Sequence, residues 1–319
     1  MGTAFVIDSE GRLLASVTDG DIRRALLAGV GLDADAEEAY NTDCQTLDES
    51  KLKGPSDLSA TRSGDYPVPV IDPRGRVVGI QTVGSFASER RKANRVVIMA
   101  GGQGMRLRPL TVHTPKPMLS VGGKPILERI IESLASDGFF HLSIAVNYLA
   151  EQIEDHFQDG SSFGVEIEYL REKERLGTAG ALSLLGSHAS SPVVVMNGDL
   201  LLEAKVSRLL NFHREQQALI TVGAKLVETT IPYGVLSTVG LVVDQIVEKP
   251  TYTDLVNAGI YVLDPGIVDS LKPEPIDMTD LINRNSDRGR VFAFPIHESW
   301  ADLGSHSDLK KAEYLLGGK

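Results

Sequence analysis

Residues 95–128, RVVIMAGGQGMRLRPLTVHTPKPMLSVGGKPILE, restrict what this chain can fold into more than any other stretch. Val96, Val97, Ile98 and Met99 form an apolar run without alternation, which predicts a strand covered on both faces within a parallel sheet. The run ends at Ala100-Gly101-Gly102-Gln103-Gly104. Glycines directly after such a strand let backbone N–H groups close on an oxyanion, because no Cβ stands in the way. A dinucleotide loop would place its next glycine at position 107, which is leucine, and the Gly-Lys-Ser/Thr of a P-loop is missing. Arg106 and Arg108 follow instead, then Lys116 between Pro115 and Pro117, whose fixed φ predicts a stiff extended segment. Past Val121-Gly122-Gly123-Lys124, Pro125 suits the first position of a helix with Ile126, Leu127, Ile130, Ile131 and Leu134 on one face.

Charge sharpens the reading of that loop. The 319 residues carry 43 acids against 32 Lys and Arg, a formal net charge of −11. A chain this acidic does not offer the basic face that long nucleic acid needs. It can hold a polyanionic nucleotide only where cations are concentrated or a metal is recruited. Arg106, Arg108, Lys116 and Lys124 supply such a concentration. No apolar run approaches the roughly 18 residues of a membrane span, and the N-terminus lacks a signal pattern, so a cytoplasmic protein with no membrane partner is expected. Cys44 is the one cysteine, which excludes an internal disulfide framework.

Downstream, strand and helix patterns alternate. Residues 141–147 read as a strand, 150–158 as a helix, 165–170 as a strand, 180–185 as a helix start and 192–196 as a strand. Residues 205–217 then read as a helix, with His213 as a surface or boundary residue without a role, and 218–227 as a strand. More antiparallel β follows, then a helix at 278–285 and a strand at 290–296. This order predicts an α/β fold with a mainly parallel sheet, helices on both faces, and ligands beyond the carboxyl ends of the strands. Asp199, closing a strand in Asn197-Gly198-Asp199, suits a hard cation that also touches phosphate. Thr178, in Leu176-Gly177-Thr178-Ala179-Gly180, is placed to cap a helix. The Gly160 to Gly164 match to G-x-S-x-G follows a helix and precedes a strand, the reverse of a hydrolase elbow.

The stretches G-G-x-G-x-R-L-x-P-L-T (101–111), P-K-P-M-L (115–119) and V-G-G-K-P-I-L-E (121–128) resemble the signature of the sugar-1-phosphate nucleotidylyltransferases. The resemblance implies the Rossmann-like, mixed but mainly parallel sheet of the nucleotide-diphospho-sugar transferase fold. It also implies a Mg2+-dependent reaction of a nucleoside triphosphate with a sugar 1-phosphate. By resemblance, Ala100, Gly101, Gly102, Gly104 and Arg106 hold the triphosphate, while Leu176, Gly177 and Thr178 lie beside the base. Tyr233, Gly234, Glu248, Lys249 and Asn257 match the sugar-phosphate motifs, and Asp199 and Asp302 match the metal ligands, the latter in Trp300-Ala301-Asp302-Leu303-Gly304-Ser305. Arg106, Lys116, Asp199 and Lys249 would carry the catalysis. The alternatives are a uridylyl, thymidylyl or cytidylyl transferase of the same fold, a nucleotide sensor without activity, and a glycosyltransferase. The last usually shows Asp-x-Asp where this chain has Asn197-Gly198-Asp199.

An internal repeat lies ahead of all this. Residues 4–18, AFVIDSEGRLLASVT, align with 68–82, VPVIDPRGRVVGIQT, at an offset of 64. Each copy predicts a β-hairpin turning at Gly11 or Gly75, and the first predicts a helix with Ile22, Ala25, Leu26 and Leu27 facing inward. The pair resembles a CBS module whose first unit is truncated. That implies a small α+β regulatory or interaction domain over 1–88, an adenine nucleotide held by Thr18 and Asp21, and pairing between chains into a homo-oligomer. Ser85 stands where the second unit would carry an acid. Charged residues 85–94 mark the domain boundary, with 89–92 as a solvated connector and 94–319 as the catalytic domain. A CBS pair ahead of this domain resembles bacterial guanylyltransferases of surface glycan precursor synthesis, which makes GTP the expected nucleotide and a hexosamine or mannose 1-phosphate the expected sugar.

Overall fold

The computed structural model describes residues 3–31, 33–49, 67–82, 91–186 and 190–317. Two compact units divide the chain, Met1–Arg90 and Arg91–Lys319. Ser85 and Glu89 lie outside the described residues.

The first unit contains β1 (Thr3–Ile7), β2 (Leu13–Thr18), α1 (Asp19–Leu27), β3 (Leu47–Asp48), β4 (Pro67–Ile71) and β5 (Val77–Thr82). The 64-residue offset holds down to single hydrogen bonds. Asp8 accepts from the backbone N–H of Glu10 and Arg12 and from Arg12 Nε, and Asp72 accepts in the same way from Arg74 and Arg76. Both carboxyls are held below the usual range, chiefly by the backbone N–H of that arginine. The two hairpins meet at their turns, where Leu13 N donates to Gly75 O and Val77 N to Gly11 O, each at 3.0 Å. Leu26 is buried but Leu27 is 45% exposed, so the inward face of α1 is narrower than its apolar residues suggest.

In the second unit, β6 (Val96–Met99) leads through the glycine loop to a small β7 (Ser120–Val121) and β8 (Lys124–Pro125) hairpin. There follow α2 (Ile126–Ser136), β9 (His141–Val146), α3 (Ala150–Phe157), β10 (Glu166–Arg171), a single-turn α4 (Gly177–Gly180), β11 (Val193–Asn197), β12 (Leu200–Leu202) and α5 (Val206–Glu215). The chain continues as β13 (Ile220–Thr230), β14 (Gly234–Val239), β15 (Val242–Glu248), β16 (Thr251–Leu263), α6 (Pro265–Asp269), α7 (Met278–Asn285), β17 (Val291–Ile296), β18 (Trp300–Asp302) and α8 (His306–Gly317). Ser305 caps the last helix, its Oγ accepting from Asp308 N.

Seven of these strands form one sheet in the order β10-β9-β6-β11-β16-β13-β17, with β16 antiparallel to both neighbours and the remaining pairs parallel. Val96, Val97 and Ile98 are fully buried, as a strand covered on both faces requires. Val96 and Ile98 join the core beneath α2, α3 and α5, whereas Val97 joins the opposite core with α6 and α7. Strand order reverses at β6: successive parallel strands lie to one side, β11 to the other. That reversal opens a crevice at the carboxyl ends of β6 and β11, the place where such sheets bind ligands. The glycine loop leaves from one of these ends and Asp199 from the other, with Met99 and Asn197 in register. Among the described residues no helix is long and apolar enough to cross a membrane.

Two expectations are corrected here. Lys92 is not part of a solvated connector: its N donates to Gly138 O at 2.8 Å and its ammonium lies over the ring of Phe139, whereas Arg91, over the ring of Phe140, is exposed as expected. His213 is not a boundary residue but only 2% exposed, its Nδ1 2.9 Å from Thr221 Oγ1. Burial pulls its pKa down from 6.5 to about 4. The unfolded chain therefore takes up this proton below about pH 6.5 while the folded one resists until about pH 4. Stability is intact above that window and falls as pH drops through it, by on the order of 3 kcal/mol. Urea midpoints measured from pH 7 to 4 should show the slope, and His213→Gln should flatten it; the same slope in the variant would assign it to carboxylates instead.

Candidate active site

The crevice at the sheet reversal is a cleft of about 300 Å3, lined by the glycine loop, Arg106, Lys116, Arg175 and Asp199. Gly104 takes a left-handed φ of 59°, and a Cβ there would fall 2.8 Å from Thr111 Cγ2 and 3.1 Å from Lys116 Cβ. Only glycine lets the loop fold down onto the lysine. Buried Thr111 fixes that fold by donating its hydroxyl to Gly104 O at 2.8 Å. Ala100 is anchored through its N–H to Ala145 O, and Gly102 faces open space. Lys116 opens a short 3-10 turn, Lys116–Met118, rather than an extended segment, because Pro117 falls within its first turn and tolerates that geometry.

Lys116 Nζ is paired with Asp199 Oδ2 and lies 4.0 Å from Asp302 Oδ1. The two acids, a hundred residues apart, are brought together by a small sheet: Leu200 pairs with Asp302 across β12 and β18, and Leu303 N donates to Asp199 O at 3.1 Å. Burial pushes the Asp302 carboxyl up, and the nearby Asp199 charge adds to it, against the opposing fields of Lys116 and Arg106. A smaller recess of about 70 Å3 adjoins them, lined by Asn197, Asp199, Asn257 and Asp302. Asn257 is oriented inside it, donating Nδ2 to Tyr261 Oη at 2.8 Å while Oδ1 accepts from Gly259 N at 3.0 Å.

The remaining expected residues divide. Lys124 does not join the cationic cluster; it pairs with Glu128 and Glu132 on α2, where helical spacing supplies closer carboxylates than the cleft does. Thr178 does not cap its own helix. Its hydroxyl accepts from Met278 N at 2.8 Å and so caps α7, while Thr178 N donates to Asp277 Oδ1. Gly177 and Gly180 are small for the sake of this same packing, since Cβ atoms there would reach Ile276 O and Glu274 O at 2.7 and 2.5 Å. Tyr233, Gly234, Glu248 and Lys249 are brought together by the β14–β15 ribbon, with Gly234 opposite Glu248 and Lys249 N donating to Tyr233 O. Lys249 sits at φ 47°, an uncommon backbone for a side-chain-bearing residue. Among the described residues no hydrogen bond or ion pair links the Glu248 or Lys249 side chain to Asp199 or Asp302. Val243, Ile246 and Val247, apolar enough for a core strand, are exposed on that ribbon.

Thr18 and Asp21 in the first unit form a reciprocal capping box, Asp21 Oδ2 accepting from Thr18 N and Oγ1 while Asp21 N donates to Thr18 Oγ1. Arg24 also binds Asp21. Two further residues escaped the sequence reading. Arg175 lines the cleft. Glu172 is half-buried between the two glycine-bearing loops: its Oε2 accepts from Leu176 N at 2.9 Å, and its Oε1 is 3.2 Å from where a Cβ on Gly101 would stand. Burial raises this carboxyl above its ordinary value, opposed by the Leu176 N–H and Arg175.

Comparison with known proteins extends over the same unit. Residues 95–317 match the model of the family described as Nucleotidyl transferase. A mannose-1-phosphate guanyltransferase of Yarrowia lipolytica is 35% identical over 223 residues, 67% of this chain and 61% of the relative. The mannose-1-phosphate guanylyltransferase catalytic subunit beta of Drosophila pseudoobscura pseudoobscura is 33% identical over 67% of this chain and 60% of its own length. The chain thus spans about 60% of the length of these curated relatives. The crystal structure of HddC from Yersinia pseudotuberculosis complexed with GMP-PN superposes with a TM-score of 0.55 at 25% identity, covering 70% of this chain and 99% of that one. With the family model matched over residues 95–317, most of the second unit, the chain belongs to the nucleotidyl transferase family.

Proposed function

We propose that the chain is a sugar-1-phosphate nucleotidylyltransferase, working in the cytoplasm on GTP and a hexose 1-phosphate of mannose or hexosamine type. The observation that carries the reading is the convergence of Lys116, Asp199 and Asp302 beside the glycine turn, at the sheet reversal. A sugar-phosphate oxygen attacks the α-phosphorus of the triphosphate. A new O–P bond forms there as the bond to the bridging oxygen breaks, and the electron pair leaves on pyrophosphate. The attacker is already an anion, so neither a general base nor a covalent nucleophile is required. Holding two repelling anions in line and stabilising charge on the leaving group is the whole task.

In this reading the loop N–H groups of residues 101–104, on a loop anchored at Ala100, take the triphosphate with Arg106 and Lys116, and Leu176, Gly177 and Thr178 border the base. Asn257, Tyr233, Gly234 and Glu248 face the sugar, and Lys249 its phosphate. Asp199 and Asp302 would hold Mg2+. Their donor set fits it, being two hard carboxylate oxygens already arranged about one positive charge. When bound, the ion would neutralise charge on the reacting phosphates. Guanine is favoured by what the relatives are named for and by Glu172, an acceptor-only group at the edge of the expected base position. Measuring pyrophosphate release with four nucleoside triphosphates against a panel of sugar 1-phosphates tests this. Turnover should be greatest with GTP and mannose or hexosamine 1-phosphate. Preference for UTP, dTTP or CTP would overturn the base assignment, and release with no pair would favour a nucleotide sensor.

The first unit reads as a CBS pair that holds an adenine nucleotide at Thr18 and Asp21 and pairs chains into a homo-oligomer, on the support of its repeated hairpins. Equilibrium dialysis of AMP against the whole chain should show retention that Asp21→Ala weakens. No retention by either protein would remove the regulatory reading.

A further inference from the structure

We infer that the Lys116 ammonium is an internal cation that occupies the two-aspartate site of the free protein and yields it to the incoming divalent ion, so that metal binding and release of Lys116 toward the triphosphate are a single exchange. The inference rests on reading Asp199 and Asp302 as metal ligands. Among the described residues Lys116 is the cation in ion-pair contact with these two acids, bonded to Asp199 Oδ2 and 4.0 Å from Asp302 Oδ1. The lysine and both acids are mostly or partly withdrawn from water, with side chains 15%, 20% and 51% exposed. Two carboxylates facing one another in such a place repel unless a positive charge stands between them.

An ammonium and a dication cannot share the same oxygens, since both would need the same lone pairs and would repel one another. The backbone of Lys116 is also held in place. Pro115 and Pro117 flank it, and its Cβ lies 3.1 Å from the position a Cβ on Gly104 would take. Displacement therefore falls to the four-carbon stem, whose rotatable bonds let the charge swing while the backbone stays. The cleft it already lines, with Gly102, Gly104 and Arg106, lies within its compass. It follows that metal and triphosphate help one another: the metal frees the lysine that the phosphates need, and phosphates that draw the lysine away uncover the carboxylates. By linkage the two effects are equal in size.

Mn2+ titrated into the nucleotide-free full chain, with free ion read by electron paramagnetic resonance, tests the exchange. Lys116→Met keeps the stem and removes the charge, so Mn2+ should bind it at least about tenfold more tightly than the wild type, and Mn2+ should raise its melting temperature by more. Equal or weaker binding in Lys116→Met would overturn the exchange while leaving the metal ligands standing, provided Asp199→Asn abolishes binding. If neither protein binds Mn2+, both the exchange and the metal reading fall. A second measurement needs no substitution. Acetic anhydride labelling of the wild type, quantified at Lys116 by mass spectrometry, should rise several-fold when Mn2+ is added, and unchanged labelling would overturn the exchange.

Discussion

Asp199→Ala and Lys116→Ala should each lower the rate of pyrophosphate release at least about a hundredfold, as losing a preorganised charge at a reacting centre typically does. Neither residue belongs to the hydrophobic core, and neither is sealed from water, with 20% of the Asp199 and 15% of the Lys116 side chain exposed. Removing one partner leaves the other without its main counterion. In Asp199→Ala, Lys116 retains Asp302 at 4.0 Å, and in Lys116→Ala the two acids retain access to water. Melting temperatures should accordingly stay within about 5 °C of the wild type, which for a unit of this size corresponds to roughly 1–2 kcal/mol. Because the two groups act on one ion-pair network, the double variant should lose much less than the product of the single losses. Near-normal turnover in either single variant would remove that residue from the chemistry. A large fall in melting temperature would instead recast the pair as structural.

What the sequence made legible was local. The buried strand Val96–Met99 and the helix Met278–Asn285 follow from apolar runs and periodicity. The 64-residue repeat survives as matched hairpins because its turn acid and arginine recur with it. That Asp199 and Asp302 meet was legible only through the family resemblance, since no local pattern joins residues separated by several strands. Misreadings share one cause, which is that a polar side chain's partner is chosen by tertiary neighbours. Lys124 went to α2, Thr178 to the start of α7, and His213 into the core against Thr221. Glu172 was hidden within the charged run 171–175, REKER, where a glutamate ordinarily reads as solvated. The ribbon β14–β15 shows the same for apolar side chains, since Val243, Ile246 and Val247 find no tertiary neighbours to bury them in the second unit.

Glu172→Gln should separate guanine from the other bases. Guanine presents two adjacent donors, N1–H and the N2 amino group, on its pairing edge. Adenine, cytosine and uracil mix donors with acceptors there. A carboxylate, being acceptor-only, complements guanine at both positions. Oε2 is committed to Leu176 N, so Oε1, which lies beside Gly101 of the glycine loop, is the one oxygen left for this. Glutamine is nearly isosteric and can still accept from Leu176 N, so the loop stays braced. Its amide NH2 then meets donors with a donor. A hydrogen bond to a charged group contributes about 1.5–3 kcal/mol, so kcat/KM for GTP should fall roughly tenfold to a hundredfold. The value for UTP, which has a carbonyl for the amide to meet, should fall far less or rise. Equal losses with every triphosphate would mean that Glu172 only braces the 172–176 loop, and an unchanged GTP preference would place base selection elsewhere in the cleft.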